Sequence, residues 1–276
     1  MLPQTALRGL SPNSHSAATA VKLFSTTGDK SMTYRPFTIE GGNRPGRWLI
    51  TCDHASNVVP PFVGGGDLGL PEADMQRHIA YDPGALAVCQ LLGKRLNAPV
   101  VASNFSRLVI DPNRGEDDPT LLMQLYDGTI IPANRHADTA EREARLERCY
   151  RPYHAALAKL AARPDTVIIS VHSFTPQLRG RAPRPWEIGI LYPEGEHFSP
   201  HLITALQTPG DLCVGINEPY TGYLPGDAID THGTHKGRPN TLIELRNDLI
   251  SDATGQQYWA DRLSAVLPRA LASSGL

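Results

Sequence analysis

Long apolar runs are missing from this chain, and none approaches the roughly 20 residues that a membrane-spanning helix requires, so no membrane partner is expected. A basic excess is missing as well. Lys and Arg total 26 against 28 Asp and Glu, a formal net charge of −2, and the cations are scattered, so nucleic acid is not an expected partner. Cysteine is sparse. Cys52, Cys89, Cys149 and Cys213 lie far apart and form no Cys-x-x-Cys pair, which suits free thiols in a reducing, cytoplasmic compartment better than a disulfide framework. No Gly-x-Ser-x-Gly elbow or nucleophilic cysteine constellation is present, so covalent catalysis is not expected. Gly64-Gly65-Gly66 lacks the Lys-Ser/Thr that would make it a phosphate loop. What remains is a chain whose partner is a small molecule.

The organising stretch is Thr166-Val167-Ile168-Ile169-Ser170-Val171-His172-Ser173. It is rich in β-branched aliphatic residues, is bounded by Pro164-Asp165 and Thr175-Pro176, and reads as a strand buried on both faces. The same grammar appears in Trp48-Leu49-Ile50-Thr51-Cys52-Asp53-His54 and in Thr241-Leu242-Ile243-Glu244. Each is an apolar strand that runs into a histidine or a carboxylate. Further strands are expected over 99–102, 107–110, 187–192 and 212–217, and helices over 199–207 and 255–272. A helix opened by Asp82 as N-cap and Pro83 is expected to bury Ala85, Leu86, Val88, Cys89, Leu91, Leu92 and Leu96. One long helix is expected from Thr139 to about Arg163, and loops over 57–75, 115–138, 179–185 and 220–239. Interleaved strands and helices without a repeat or linker predict one α/β domain, three-layered with a mixed central sheet, over 33–276. Residues 1–32, rich in Ser, Thr and Ala, read as a disordered leader, with Met32 as an alternative start.

Strand tips are where open α/β sheets place ligands. Two imidazoles at such tips, His54 and His172, suit zinc, and a catalytic zinc takes three protein ligands. The third is not local to His54, since Asn57 stands where a His-x-x-Glu pattern wants an acid. Glu72, Asp74 and Asp82 are the candidates, with Asp82 best placed and helix capping as its plainer role. Iron or cobalt would also suit such donors. Glu244, a carboxylate in a buried strand, costs free energy unless paired or functional; near an activated water it serves as general base, then as acid towards a leaving amine. The plainer role is a salt bridge to Arg246. Arg107 and Arg114 suit a substrate carboxylate or a developing oxyanion, with surface ion pairs as the alternative. His232 or His235 is expected to reach substrate, or to be a solvated loop histidine.

Taken in order, Asp53-His54-Ala55-Ser56-Asn57, Asp82-Pro83-Gly84-Ala85, Ser106-Arg107-Leu108-Val109-Ile110-Asp111-Pro112-Asn113-Arg114, Val171-His172-Ser173 and Ile243-Glu244-Leu245-Arg246-Asn247-Asp248-Leu249-Ile250 resemble the N-formylglutamate amidohydrolase family across roughly residues 45–270. The resemblance implies a zinc-dependent, carboxypeptidase-like fold. It implies zinc on His54, Asp82 and His172, Glu244 as base, and Asn113-Arg114 as a carboxylate-binding pair. The implied substrate is a small N-acylated amino acid, with N-formyl-L-glutamate first. An amidase acting on peptide-like or cell-wall fragments, and a catalytically silent binding protein on the same scaffold, are the rival expectations.

Overall fold

The computed structural model describes residues 34–276, and the leader expected over 1–32 lies outside the described residues. The chain enters with an edge strand, β1 (Phe37–Glu40), followed by β2 (Trp48–Cys52), whose residues are all buried. The expected loop at 57–75 ends in one short helical turn, α1 (Glu72–Met75). Next come α2 (Ala85–Arg95) and β3 (Val100–Ser103). A small hairpin, β4 (Leu125–Tyr126) with β5 (Thr129–Ile130), turns on Asp127 and Gly128, both at positive φ (43° and 76°), as a tight Asp-Gly turn demands. Then α3 (Pro132–Arg135) and α4 (Thr139–Arg145) lead through a π-helical turn, Leu146–Tyr150, into α5 (Arg151–Ala161). The single helix expected here contains Pro152, which lacks an N–H and crowds the carbonyl one turn back; the chain widens just before it instead of running straight.

The central strand is β6 (Val167–Phe174), buried along its whole length as its β-branched run predicts. After it come β7 (Ile188–Leu191), α6 (Ser199–Gln207), β8 (Val214–Ile216), α7 (Ala228–His232), β9 (Asn240–Arg246) and α8 (Ala253–Ser274). The expected loop over 220–239 thus carries α7, which is capped by Asp227 accepting from the Asp230 amide.

The sheet is seven-stranded and mixed, in the order β1-β3-β2-β6-β9-β7-β8, with β1 antiparallel to β3 and β7 antiparallel to β9. Strand alternation divides its side chains between two cores. Trp48, Ile50, Val167, Ile169, Val171, Ile243 and Leu245 face α2, α6 and α8. Leu49, Val101, Ile168 and Leu242 face α5 and the segment around Phe105–Ile110. The parity that sends Ile168 to the second face also sends Ser170 and His172 there, and the parity of Leu242 sends Glu244 with them. In the register, His172 lies directly opposite Glu244.

Two local expectations are corrected. Arg107–Ile110 is not a strand. The Ser106 hydroxyl accepts from the Leu108 amide at 3.1 Å and donates to the Ala80 carbonyl at 2.7 Å, folding the segment into turns. Asp82 is not the cap of α2. Gly84 takes that position at φ 82°, where a Cβ would meet the Ile250 carbonyl at 2.2 Å, and the Asp82 side chain is turned elsewhere. α4 does start at Thr139 as expected, with Asp138 capping it by accepting from the Glu141 amide.

Candidate metal centre and its pocket

His54 follows the end of β2, His172 sits near the end of β6, and Asp82 stands just before α2, its backbone amide bonded to the His54 carbonyl at 2.9 Å. All three are buried. Their ligand-type atoms lie within 4.8 Å of one another, so the group can hold a metal ion. Glu72 and Asp74 belong to α1, and Asp74 is spent on Arg77 at 2.8 Å.

The protonation of the two rings is dictated by what stands behind them. His54 Nε2 lies 2.7 Å from Asp111 Oδ1, and His172 Nε2 lies 3.1 Å from Asp53 Oδ2. An ionised carboxylate only accepts, so each Nε2 carries the proton and each Nδ1 of a neutral ring presents a lone pair. Those two Nδ1 atoms face each other at 3.1 Å, and Asp82 Oδ2 stands 3.3 Å from the first and 2.9 Å from the second. Three electron pairs converge on one spot. This donor set fits a divalent cation, with outer carboxylates fixing each ring as they do in known metal sites. Without a cation the same spot attracts a proton. Burial lowers the His172 pKa, but its bonds to Asp53 and Asp82 outweigh that and hold it well above the usual histidine range. Burial raises Asp82, and the two imidazoles more than reverse it, leaving it far below an ordinary carboxylate.

The outer layer is itself anchored. Asp53 accepts from the hydroxyls of Tyr153 and Ser170, the latter at 2.9 Å. Asp111 accepts from Arg107 Nη2 at 2.8 Å and from the Asn113 amide at 2.9 Å. Asp53 and Asp111 sit inside the recognised motifs, yet spacing alone does not assign them this work, because it appears only when the rings are in place.

A pocket of ≈ 230 Å³ opens beside the cluster. Ligand sites for drug-sized molecules run to about 300–1,000 Å³, so this one suits a smaller guest. Glu244 lines it, buried, with Oε2 lacking any hydrogen-bond partner among the described residues. Burial pushes its pKa up to about 8; His172 opposes this and the Asp82 charge adds to it. Arg246 lies two residues further on, hence on the same side of β9, but turns to Asp248 at 2.8 Å and leaves Glu244 unpaired. Arg107, Asn113 and Arg114 also line the pocket. Arg107 is largely committed to Asp111, whereas Arg114 spends itself only on the Asn113 carbonyl and the Thr120 hydroxyl, at 2.7 and 3.2 Å. The remaining wall includes His78, Tyr126, Tyr220 and Asp227, none of which the sequence singles out.

His232 is not brought to this pocket. As the last residue of α7 it is buried against His154, with Nε2 to Nδ1 at 2.9 Å, and borders a second, more open cavity. His154 Nε2 points at the Pro112 carbonyl at 3.0 Å, so its Nδ1 accepts and His232 donates. Burial first, and then His154, push the His232 pKa down to about 4. His235 is exposed, 3.4 Å from Asp230.

Residues 46–251 match the family model described as N-formylglutamate amidohydrolase. An N-formylglutamate deformylase of Pseudomonas aeruginosa is 27% identical over 210 residues, 67% of this chain and 73% of that protein. One from Pseudomonas putida is 30% identical over 125 residues, 40% of this chain and 43% of that protein. Among solved structures, a gene product of Agrobacterium tumefaciens superposes with a TM-score of 0.82 at 33% identity, covering 88% of this chain and 98% of its own. The N-formylglutamate amidohydrolase of Ralstonia eutropha, at 22% identity and a TM-score of 0.58, shares the fold. The match of the family model spans both histidines, Asp82 and Glu244, and with it the chain belongs to the N-formylglutamate amidohydrolase family.

Proposed function

We propose that this protein is a metal-dependent amidohydrolase that cleaves the acyl amide of a small, carboxylate-bearing amino acid, with N-formyl-L-glutamate as first substrate and formate and L-glutamate as products. The observation that carries the reading is the convergence of His54 Nδ1, His172 Nδ1 and Asp82 Oδ2 beside an unpaired, buried Glu244. The deformylase relatives from Pseudomonas support the choice of substrate. The small pocket favours it over longer peptide-like or cell-wall fragments.

A divalent ion held by His54, Asp82 and His172, zinc in the first instance, would polarise the acyl carbonyl and acidify a water. The chain's own groups do the rest. Glu244 takes a proton from the attacking water and delivers it to the amide nitrogen as the C–N bond breaks. Arg114, with the side-chain NH2 of Asn113 beside it, grips the substrate carboxylate. Arg107 supports the developing negative charge on the carbonyl oxygen while restrained by Asp111. His232 is assigned no contact with substrate.

The test is formate release from N-formyl-L-glutamate by protein purified without added ions, with metal analysis of the same sample. Turnover that depends on a metal present at one equivalent supports the reading. A metal-loaded protein that releases no formate from any N-formyl amino acid overturns it.

A further inference from the structure

Asp227 is the one charged wall residue of the pocket without a place in this mechanism. It is 5% exposed. Its Oδ1 is spent on the Asp230 amide at 2.7 Å. Among the described residues its Oδ2 has no protein donor, and the residue lines the pocket. Among the described residues no cation pairs with it. Burial first, with the charges of Asp53 and Asp230 adding to it, raises its pKa to about 7. A buried carboxylate in such surroundings is costly unless a ligand brings a donor.

Its neighbours indicate which donor. The next residue, Ala228, gives its amide to Asn113 Oδ1 at 3.3 Å, which ties the start of α7 to the Asn113-Arg114 segment. One edge of the pocket therefore offers a guanidinium and an amide next to an acceptor carboxylate. An N-acyl amino acid carries the complementary pair on a single carbon: a carboxylate, and an amide N–H that becomes an ammonium on cleavage.

Resting on the amidohydrolase reading above, we infer that Asp227 is a specificity-determining residue that accepts the N–H of the scissile amide and then holds the leaving amine. Its partner across the substrate's α-carbon is the Arg114–Asn113 carboxylate grip. No bond to Asp227 forms or breaks. The amide nitrogen receives one proton from Glu244 as the C–N bond breaks and a second from the formic acid formed, which leaves as formate, and Asp227 only orients that nitrogen and pairs with the ammonium.

The test compares N-formyl-L-glutamate with its formate-ester analogue, 2-(formyloxy)glutarate, which keeps the formyl group and both carboxylates but has no N–H. In Asp227→Asn, where the acceptor becomes an amide that can still cap α7, kcat/KM for the amide should fall by about 10- to 100-fold, the worth of a hydrogen bond to a charged group. For the ester it should stay within about threefold or rise. Asp227→Ser, which retains a capping hydroxyl but is too short to reach, should show the same split. Equal losses on both substrates in both variants, or no loss on the amide, overturn the inference and leave the amidohydrolase reading standing. Failure of the unmutated, metal-loaded protein to release formate from either substrate overturns both.

Discussion

His54 and His172 meet Nδ1 to Nδ1 at 3.1 Å, with each Nε2 held by a carboxylate behind it. Two lone pairs at that separation, with the Asp82 carboxylate beside them, repel unless something positive lies between.

The first prediction follows directly. Chelator treatment should abolish formate release, and one equivalent of zinc should restore it. Adding the ion should also raise the thermal midpoint of the stripped protein, since a ligand bound only by the folded state stabilises it. His172→Ala should lose both the bound metal and the shift. Metal analysis and calorimetry check this.

The outer carboxylates should matter nearly as much as the donors. Asp53→Asn leaves one acceptor oxygen where Tyr153 and His172 use two, removes the charge behind His172, and should weaken metal affinity by about 10- to 100-fold. Competition against a chromophoric chelator measures it, and an affinity equal to that of the unmutated protein would count against the assigned ring orientation.

Glu244→Gln should keep its metal and lose formate release. It should also change how stability responds to pH in the stripped protein. The Glu244 pKa rises from 4.5 to about 8 on folding. Between those values the folded state holds a proton that the unfolded state has released, so this residue's contribution to stability is present below about pH 4.5 and is lost as pH rises through about 8. Relative to Glu244→Gln, the unmutated protein should therefore lose stability across that window. Urea unfolding at several pH values tests the sign.

Arg145, fully buried, gives Nη1 to the Val109 carbonyl at 2.8 Å and to Asn134 Oδ1 at 2.7 Å, and pairs with Glu141. Asn134 in turn donates to the Leu108 and Met123 carbonyls, both at 2.8 Å. Arg145→Leu leaves these acceptors without donors and should cost about 3–5 kcal/mol in urea unfolding, as breaking a buried charged network does. Arg114 hangs from the same segment, so KM for the carboxylate-bearing substrate should rise as well.

This network also explains where sequence reading stops. The three strands that bring His54, His172 and Glu244 to the site are legible because a buried strand leaves an unmistakable apolar run, and a polar residue at or near the end of such a run has few structural uses. Residues 107–138 leave no such signature. Their order comes from Asn134 near the segment's own end and from Arg145 in the helix beyond it, and no local periodicity records a hydrogen bond across that distance. Asp82 is ambiguous in one dimension because Asp-Pro-Gly suits a helix start. Only the left-handed Gly84 shows that capping has passed to another residue and that the carboxylate is free. His232 precedes β9 in the chain and so looks close to Glu244, but α7 turns it towards His154 instead.

The pairing of β6 with β9 has a consequence for when activity can arise. His54 is made some way ahead of Glu244, which belongs to the last of the described strands and comes to face His172 only when β9 docks in register. No nascent fragment ending before residue 240 contains Glu244, so the residue proposed as base joins His172 only after residues 34–239 have been made.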